Sequence, residues 1–331
     1  MLLSQAAKNE SEARQGWTYL GKMAIAVFAI LTCLATLKFF TEDKFAPKNS
    51  GLGGALAQPR LDLLLVGSSH SRKSYDMRLL EKQTGVANSF LIAYDGAELS
   101  TISQMLDYLV ARPEHCPRYL VVEAYSSFLA RRPDLQDPRY FADAPPSLKL
   151  TILHSYLAEW GYRSALLDIF DLVVNRGNEE IITYPVYAPI MESRSYKGGR
   201  TDFYFPGISV SEFTVLKAKV NGNVPNPSQL SAFYHILDLA RTHHIAVIFI
   251  DTPLPLPVSV NPDIQALKND FKQILGARHI SYIDGDQGYP IDEPELFSDS
   301  NHLSSKGREE FSRRISIVLK AWMASEAAAG Y

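Results

Sequence analysis

Cysteine is nearly absent from this sequence, and so is any excess of positive charge. The two cysteines are Cys33 and Cys116, and the first lies inside an apolar run, so a disulfide bond between them is not expected. The formal net charge of -3 provides no basic surface for a polyanion, which argues against nucleic acid as a partner. The 46% hydrophobic and 21% charged content of the 331 residues is instead typical of a folded globular protein.

Motifs for common cofactors are also missing. The sequence has no Walker phosphate-binding loop, no Gly-x-Gly-x-x-Gly motif and no cysteine and histidine set at zinc spacing. His243 and His244 are adjacent but have no further ligands at metal spacing, so we expect them to face solvent at a helix end. The sequence implies neither a cofactor nor a metal ion.

The longest apolar run lies near the N-terminus. Residues 17–40 are mostly apolar, and residues 23–37 carry no charge between Lys22 and Lys38. A membrane span needs about 20 apolar residues, which this run reaches if the two lysines extend towards the lipid headgroups. No small-residue cleavage site of a signal peptide follows the run. We therefore predict one transmembrane anchor at residues 17–40, preceded by a cytoplasmic tail at residues 1–16.

After the anchor, the composition changes from that of a loop to that of a folded domain. Residues 41–59 are rich in glycine and proline and predict a flexible linker. Beyond them, continuous apolar runs predict strands buried in a parallel sheet, and amphipathic patterns between several runs predict helices. This alternation predicts a doubly wound α/β domain over residues 60–325. The predicted strands are 61–66, 89–93, 119–122, 246–250 and 280–283, and the predicted helices are 75–83, 99–110, 229–243 and one from about residue 304.

A long segment at about residues 130–228 does not follow the alternation of strands and helices. Residues 148–173 have a helical pattern, whereas residues 184–226 are rich in tyrosine, phenylalanine, glycine and proline. Such an insertion can build a binding surface over the sheet. It can equally be a helical cap that covers an edge of the sheet, and both interpretations stay open.

A serine follows the first predicted strand. The strand runs into Gly67-Ser68-Ser69-His70, which places the Ser69 hydroxyl where a helix begins. Free backbone N–H groups and the positive end of the helix dipole would stabilise an oxyanion there. The motif alone does not identify a nucleophile, because serine is also a common helix cap.

A candidate base for this serine lies just before the last helix, in the motif Asp299-Ser300-Asn301-His302. A serine hydroxyl becomes a strong nucleophile when an imidazole takes its proton, and the imidazole works best when a carboxylate holds its other nitrogen. Asp299 and His302 are close enough in sequence for one turn to bring them together. This motif by itself has another interpretation, in which Asp299 caps a turn and His302 is an ordinary polar loop residue.

The two motifs in combination resemble those of the SGNH (GDSL-like) hydrolase superfamily. The closer similarity is to its envelope branch, the alginate O-acetylation proteins and the teichoic-acid D-alanine transfer protein, and it covers roughly residues 60–125 and 230–322. The resemblance implies a mainly parallel, flavodoxin-like three-layer fold. It also implies a catalytic triad of Ser69, Asp299 and His302.

The same resemblance implies an oxyanion hole made by the backbone N–H groups of Ser69 and Gly96, the glycine after the second strand. The chain departs from the family pattern twice. Ser68 replaces the Asp of the motif Gly-Asp-Ser, and the motif Gly-x-Asn-Asp after the third strand has no counterpart. Tyr125 and Ser126 lie at that place and are the candidates for the missing donor or for substrate binding.

Three further polar residues near these motifs have two interpretations each. His70 and Arg72 follow the nucleophile and either bind an anionic or sugar part of the substrate or lie exposed on the first helical turn. Glu123 ends the third strand and is either an active-site carboxylate or a hydrogen-bonded structural one, of which we favour the structural one.

By resemblance, the function is that of a serine-dependent O-acyltransferase working through an acyl-serine intermediate. It would take acetyl from an acyl donor and pass it to a sugar or polyol hydroxyl of a cell-surface polysaccharide, with a membrane-bound O-acyltransferase as partner. The resemblance places the chain in the bacterial inner membrane as a single-pass protein with its catalytic domain outside the cytoplasm. The nearly balanced charges around the anchor do not decide this orientation.

Two other functions remain open. One is that of a membrane-anchored esterase or deacetylase acting on glycans or lipids, in which water replaces the acceptor. The other is that of a noncatalytic binding or scaffolding subunit with the same fold, which the absence of the Gly-x-Asn-Asp motif supports.

Overall fold

The computed structural model describes residues 17, 20–30, 32–33, 36–37, 39–124, 138–170, 195–200, 204–217 and 226–330. In these ranges the strands are β1 (Leu63–Gly67), β2 (Ser89–Ala93), β3 (Tyr119–Glu123), β4 (Ser195–Tyr196), β5 (Gly199–Arg200), β6 (Ala246–Ile250) and β7 (Ser281–Ile283). β4 and β5 form an antiparallel hairpin, and the others form one parallel sheet in the order β2-β1-β3-β6-β7. The prediction of an α/β fold with a mainly parallel sheet is confirmed. Every residue of β1, β2 and β3 is buried, which explains their continuous apolar runs.

Helices cover both faces of this sheet. One core contains Phe233, Phe249 and Phe271 and a second contains Leu80 and Phe311, so the domain has three layers. In chain order the helices are α1 (Gly51–Leu56), α2 (Ser69–Ser74), α3 (Met77–Thr84), α4 (Leu99–Val110), α5 (Pro138–Asp143), α6 (Pro146–Phe170), α7 (Val210–Thr214), α8 (Pro227–Thr242), α9 (Leu256–Ser259), α10 (Pro262–Gly276) and α11 (Ser305–Ala329). α4, α8 and α10 contribute to the first core, and α3 and α11 contribute to the second.

The order of the strands defines where a crevice forms. The chain passes from β1 to β2 on one side and then to β3 on the other side of β1, so the connections diverge at the carboxyl ends of β1 and β3. Open α/β sheets bind ligands at such a switch point. A functional site is therefore expected beside Gly67 and Glu123, the last residues of these two strands.

Residues 41–59 pack onto the domain instead of forming the flexible linker that their composition predicts. Helix α1 lies in this segment, and its Leu52 side chain is fully buried. The backbone N–H of Leu52 donates to the Tyr94 hydroxyl at 2.6 Å. Glycine permits this packing, since a Cβ atom at Gly54 would lie 2.8 Å from the Phe90 ring. The glycines here mark close contact rather than flexibility.

The hairpin of β4 and β5 covers the outer edge of β2. The N–H of Leu91 in β2 donates to the carbonyl oxygen of Lys197 at 2.9 Å, and the N–H of Gly198 donates to that of Asn49 at 2.8 Å. A Cβ atom at Gly198 would overlap the Leu91 carbonyl, so only glycine allows this approach. An uncovered edge strand can pair with other chains, and here a β-hairpin of the insertion, not a helical cap, lies along that edge.

The rest of the insertion is described at α5, α6 and α7. The predicted helix at residues 148–173 corresponds to α6, whose helical geometry is interrupted at Gly161, where φ is 73°. Glycine adopts this left-handed backbone conformation without strain, so the chain can change direction there.

Part of the predicted anchor lies outside the described residues. Residues 20–30 are helical, and the Phe28 side chain within them is 70% exposed. In the described part of the chain, no helix is both long and apolar enough to cross a membrane.

Candidate active site

Ser69 is the first residue of α2 and follows β1 at the switch point of the sheet. Ser68 caps the helix, and its hydroxyl oxygen accepts a hydrogen bond from the His70 N–H at 3.3 Å. The turn is tight, because a Cβ atom at Gly67 would overlap the Ser71 hydroxyl. A glycine at the end of the strand therefore lets the chain turn into the helix at this point.

His302 lies in a closed loop just before α11. An isolated bridge pairs Phe297 with Leu303, and the N–H of Ser298 donates to the carbonyl oxygen of His302 at 2.9 Å. After the loop, the Ser304 hydroxyl caps α11 by accepting a hydrogen bond from the helix backbone at 3.1 Å. The loop is thus closed at its base and continues directly into a capped helix.

Ser69, His302 and Asp299 form a hydrogen-bonded series. The distance between Ser69 Oγ and His302 Nε2 is 2.9 Å, although the two residues are 233 positions apart in the chain. His302 Nδ1 lies 2.8 Å from one carboxylate oxygen of Asp299 and 2.9 Å from the other. Because the ionised carboxylate can only accept, Nδ1 donates to it, and Nε2 is then left to accept the Ser69 O–H. The arrangement can move a proton from the serine to the imidazole.

The Asp299 carboxylate remains ionised far into the acid range. Burial raises its pKa, but the hydrogen bond and charge of His302, the backbone N–H of Asn301 and the charge of Lys73 outweigh burial and lower the pKa to about 2. Lys73 Nζ lies 3.7 Å from the carboxylate. The side chain of Asp299 is nevertheless 45% exposed, so water reaches this end of the series.

Lys73 and Phe205 lie beside this series, although the sequence pattern did not single them out. Lys73 Nζ is 4.9 Å from the centre of the Phe205 ring. The N–H of Phe205 donates to the Ser305 hydroxyl at 2.8 Å, and the Ser305 N–H donates to the carbonyl oxygen of Phe205 at 2.9 Å. Helical spacing could have indicated Lys73, because it lies one turn after Ser69. No local pattern points to Phe205, which the insertion brings to the start of α11.

Gly96 lies in the turn after β2, and β2 ends beside β1. The N–H of Tyr94 donates to the carbonyl oxygen of Gly67 at 3.3 Å, which joins the two strand ends. Gly96 has a φ of 69°, in the left-handed region that favours glycine. Its role as an oxyanion donor stays a prediction.

His70 and Arg72 are buried, so their interpretation as exposed residues on the first helical turn is wrong. The ring centre of His70 lies 4.9 Å from that of His302. Arg72 donates from Nη2 to the carboxylate of Asp95, in the turn after β2. Both side chains therefore pack around the nucleophile turn, and their role in substrate binding stays a prediction.

Glu123 ends β3 next to the nucleophile turn. Its carboxylate accepts hydrogen bonds from Ser68 and Ser71, which agrees with its interpretation as a hydrogen-bonded residue. Tyr125 and Ser126, the predicted replacements for the third oxyanion donor, lie outside the described residues.

The fold and the site define an α/β protein with a serine, histidine and aspartate in hydrogen-bond contact at the carboxyl edge of its parallel sheet. No protein-family model matches the chain, and no curated protein matches it. Among solved structures, the chain is similar to an acetyl xylan esterase from the rumen bacterium Butyrivibrio proteoclasticus, with 11% sequence identity and a TM-score of 0.33. The match covers 80% of this chain and 64% of that chain, so this chain spans less than two thirds of that protein. A similarity this distant carries no argument about activity.

Proposed function

We propose that the chain is a serine-dependent acyl-transfer enzyme, with Ser69 as nucleophile, His302 as general base and Asp299 as the carboxylate that orients the base. One observation carries the proposal: Ser69 Oγ lies 2.9 Å from His302 Nε2, while the other ring nitrogen contacts Asp299. A serine is activated by an adjacent base that a third group holds in place, and the order of these contacts supports that role.

In the proposed first half-reaction, Ser69 Oγ attacks the carbonyl carbon of an ester while His302 Nε2 takes the hydroxyl proton. The carbonyl oxygen becomes an oxyanion, for which we propose the N–H groups of Ser69 and Gly96 as donors. When the bond to the leaving alcohol breaks, the imidazolium returns its proton to that alcohol and an acyl-serine ester remains. Asp299 stays ionised and stabilises the imidazolium.

In the second half-reaction, an acceptor hydroxyl attacks the acyl-serine while His302 takes its proton. The proton then passes to Ser69 Oγ as the serine leaves, which restores the free enzyme. A sugar or polyol hydroxyl as acceptor makes the chain an O-acyltransferase, and water makes it an esterase. From the resemblance to the envelope branch we propose transfer, with acetyl as the acyl group and a cell-surface polysaccharide as acceptor.

Hydrolysis is the second candidate, because one side of the site is open. Asp299 is nearly half exposed, whereas a transferase has to keep water away from its acyl intermediate. The two outcomes differ in whether added oligosaccharide speeds the release of p-nitrophenol from p-nitrophenyl acetate. A rate that rises with the acceptor, together with an acetylated sugar product, supports transfer. A rate of p-nitrophenol release that does not change when acceptor is added supports hydrolysis.

We also propose that residues 17–40 anchor the domain in the bacterial inner membrane, outside the cytoplasm, beside a membrane-bound O-acyltransferase. Exposed apolar side chains on the described helical residues, among them Ile25 and Phe28, support contact with lipid. The orientation and the partner rest on the family resemblance alone.

The nucleophile is tested by labelling the full-length chain with a fluorophosphonate probe, followed by intact mass spectrometry and peptide mapping. We expect a single adduct on Ser69 and none in Ser69→Ala or His302→Ala. Ser211→Ala removes an exposed hydroxyl on α7 and should label like the wild type. An adduct that persists in Ser69→Ala would overturn the proposal.

A further inference from the structure

Glu123 carries a buried carboxyl group that the proposed mechanism leaves unused. It is the last residue of β3, only 1% exposed, and lies at the switch point of the sheet. Burying a carboxylate is costly unless hydrogen bonds compensate for the lost water. The contacts of Glu123 therefore indicate what the residue contributes.

Four hydrogen bonds reach this carboxylate from the residues on either side of Ser69 and His70. Ser68 donates to Oε2 from its N–H and to Oε1 from its hydroxyl, both at 2.7 Å. Ser71 donates to Oε2 from its N–H at 3.0 Å and from its hydroxyl at 2.6 Å. The carboxylate thus clamps the turn both before and after the nucleophile.

The donors suit a carboxyl group that accepts hydrogen bonds. Two of the four donors are backbone N–H groups, which can only donate, and both reach Oε2. The pKa of Glu123 is raised above its ordinary value, because burial outweighs the hydrogen bonds from Ser71 and Ser68 that lower it. An apolar side chain here would leave both backbone N–H groups without an acceptor.

The two departures from the SGNH pattern meet in this contact. Ser68 replaces the Asp that precedes the nucleophile in the family motif, and Glu123 stands where the motif after the third strand is missing. The Ser68 hydroxyl donates a hydrogen bond to the Glu123 carboxylate. The acidic group of this turn is therefore supplied by β3 and not by the residue before the serine.

We propose that Glu123 is a positioning residue, whose carboxylate clamps the turn and so holds Ser69 Oγ at hydrogen-bond distance from His302 Nε2. The inference rests on the proposed function, since a nucleophile must exist for its position to matter. Glu123 acts through Ser68 and Ser71. Catalytic rates depend steeply on such geometry, and a displacement of about 1 Å can cost on the order of 100-fold.

The test measures fluorophosphonate labelling of the full-length chain at increasing probe concentration. Glu123→Met keeps the length of the side chain but removes the carboxylate acceptor, and we expect the maximum labelling rate to fall about 100-fold. The probe concentration for half-maximal rate should not change, because the probe still binds. Glu123→Gln keeps a carbonyl oxygen for the backbone N–H groups and should recover most of the rate.

Asp251→Asn is the control for stability alone, because it changes another buried carboxylate, just after the neighbouring β6. It should lower the thermal midpoint without slowing the labelling of folded chain. If Glu123→Met does not fold, Ser71→Ala replaces it: a several-fold slower labelling supports the inference, and an unchanged rate overturns it.

The outcomes separate this inference from the proposed function. If Glu123→Met folds and labels at the wild-type rate, the positioning role is overturned while Ser69 stands as the nucleophile. If the folded wild type does not label at all, the proposed function is overturned, and the positioning role falls with it.

Discussion

His302 contacts a different group with each of its two ring nitrogens. Nδ1 lies 2.8 Å from the nearer Asp299 oxygen, and Nε2 lies 2.9 Å from Ser69 Oγ. The contact at Nδ1 selects the tautomer, because a proton held there leaves Nε2 with its lone pair. A change at Asp299 should therefore alter the reactivity of Ser69 without touching the serine.

Replacing Asp299 by asparagine should slow the labelling of Ser69 by about 10³- to 10⁴-fold, because an amide no longer fixes the reactive tautomer. The rate is measured with the fluorophosphonate probe on the full-length chain. Asp292→Asn changes an exposed carboxylate in the same part of the chain and should behave like the wild type. Equal rates in the two variants would show that Asp299 does not orient the base.

The pH dependence of labelling should show a single ionisation on its acid side. Burial raises the pKa of Asp299, but His302, Asn301 and Lys73 together lower it to about 2. The carboxylate therefore stays charged down to about pH 4, so its protonation should not add to the loss of labelling above that pH. We expect a slope no steeper than one in the plot of log rate against pH. A slope near two in this range would contradict an ionised Asp299.

The same lowered pKa has a consequence for stability. Asp299 is easier to ionise in the folded chain than in the unfolded chain. Its contribution to the free energy of unfolding is therefore fully present at pH values above the usual pKa range of carboxyl groups. That contribution is lost as the pH falls from about 4, the ordinary value for an aspartate, towards about 2.

At the scale of elements, the turn from β1 into α2 decides where Ser69 lies. The turn is held by Glu123 from β3 and is closed so tightly that Gly67 has no room for a side chain. Two neighbouring strands therefore define one short turn: β1 leads into it at Gly67, and β3 holds it through the side chain of Glu123.

Gly67→Ala should slow the labelling of Ser69 by about 100-fold, because the added methyl group would displace the Ser71 hydroxyl and the Glu123 carboxylate. Gly276→Ala is the matched control, since an added Cβ atom at the end of α10 meets no other atom within 4 Å. It should leave the rate unchanged and raise the thermal midpoint slightly. Wild-type labelling in folded Gly67→Ala would mean that the turn tolerates displacement.

A buried ion cluster joins α10 to the ends of β6 and β7. Lys268 is 1% exposed, and its Nζ lies 2.9 Å from Asp251, 3.4 Å from Asp284 and 2.5 Å from Asp286. Asp286 also accepts a hydrogen bond from the N–H of Leu254 at 2.8 Å. One lysine thus contacts three carboxylates, and Asp286 links it to the loop after β6.

Lys268→Met should lower the free energy of unfolding by about 3–5 kcal/mol, because it leaves buried carboxylates without their cation. Lys272→Met is the control: this lysine pairs with Asp284 from a more exposed position, and its loss should cost about 1 kcal/mol or less. Chemical denaturation followed by circular dichroism measures both. Equal losses would show that the cluster contributes no more than a surface ion pair.

At the scale of the whole molecule, the predicted anchor should keep the chain with membranes after high-salt and alkaline washes. Lysines at both Ile25 and Phe28 should release it, because charge at these exposed apolar positions opposes insertion into lipid. The control places lysines at Leu150 and Val210, which are also exposed and apolar but lie in the domain. A wild-type chain found in the soluble fraction would contradict the anchor.

Much of the fold could be predicted because each element carries its own pattern. Continuous apolar runs predicted the five strands of the sheet, since strands buried on both faces need no polar side. Helix α10 was missed, although Ile264, Leu267, Phe271 and Leu275 have helical spacing and are buried. The prediction of a flexible linker at residues 41–59 was wrong. Glycine is common both in flexible chain and where two segments pack closely, and the sequence does not show whether another segment packs against it.

The alternation of strands and helices could be predicted from local patterns, and so could the residue types and order of the proposed triad, because these depend on neighbours within a few positions. Folding in three dimensions was needed to bring Ser69 within 2.9 Å of His302, to place Glu123 against the turn and to bring Phe205 from the insertion to the start of α11. Such contacts depend on the order of the strands and on packing between residues far apart in the chain. Periodicity records neither of these, because it is a property of one segment at a time.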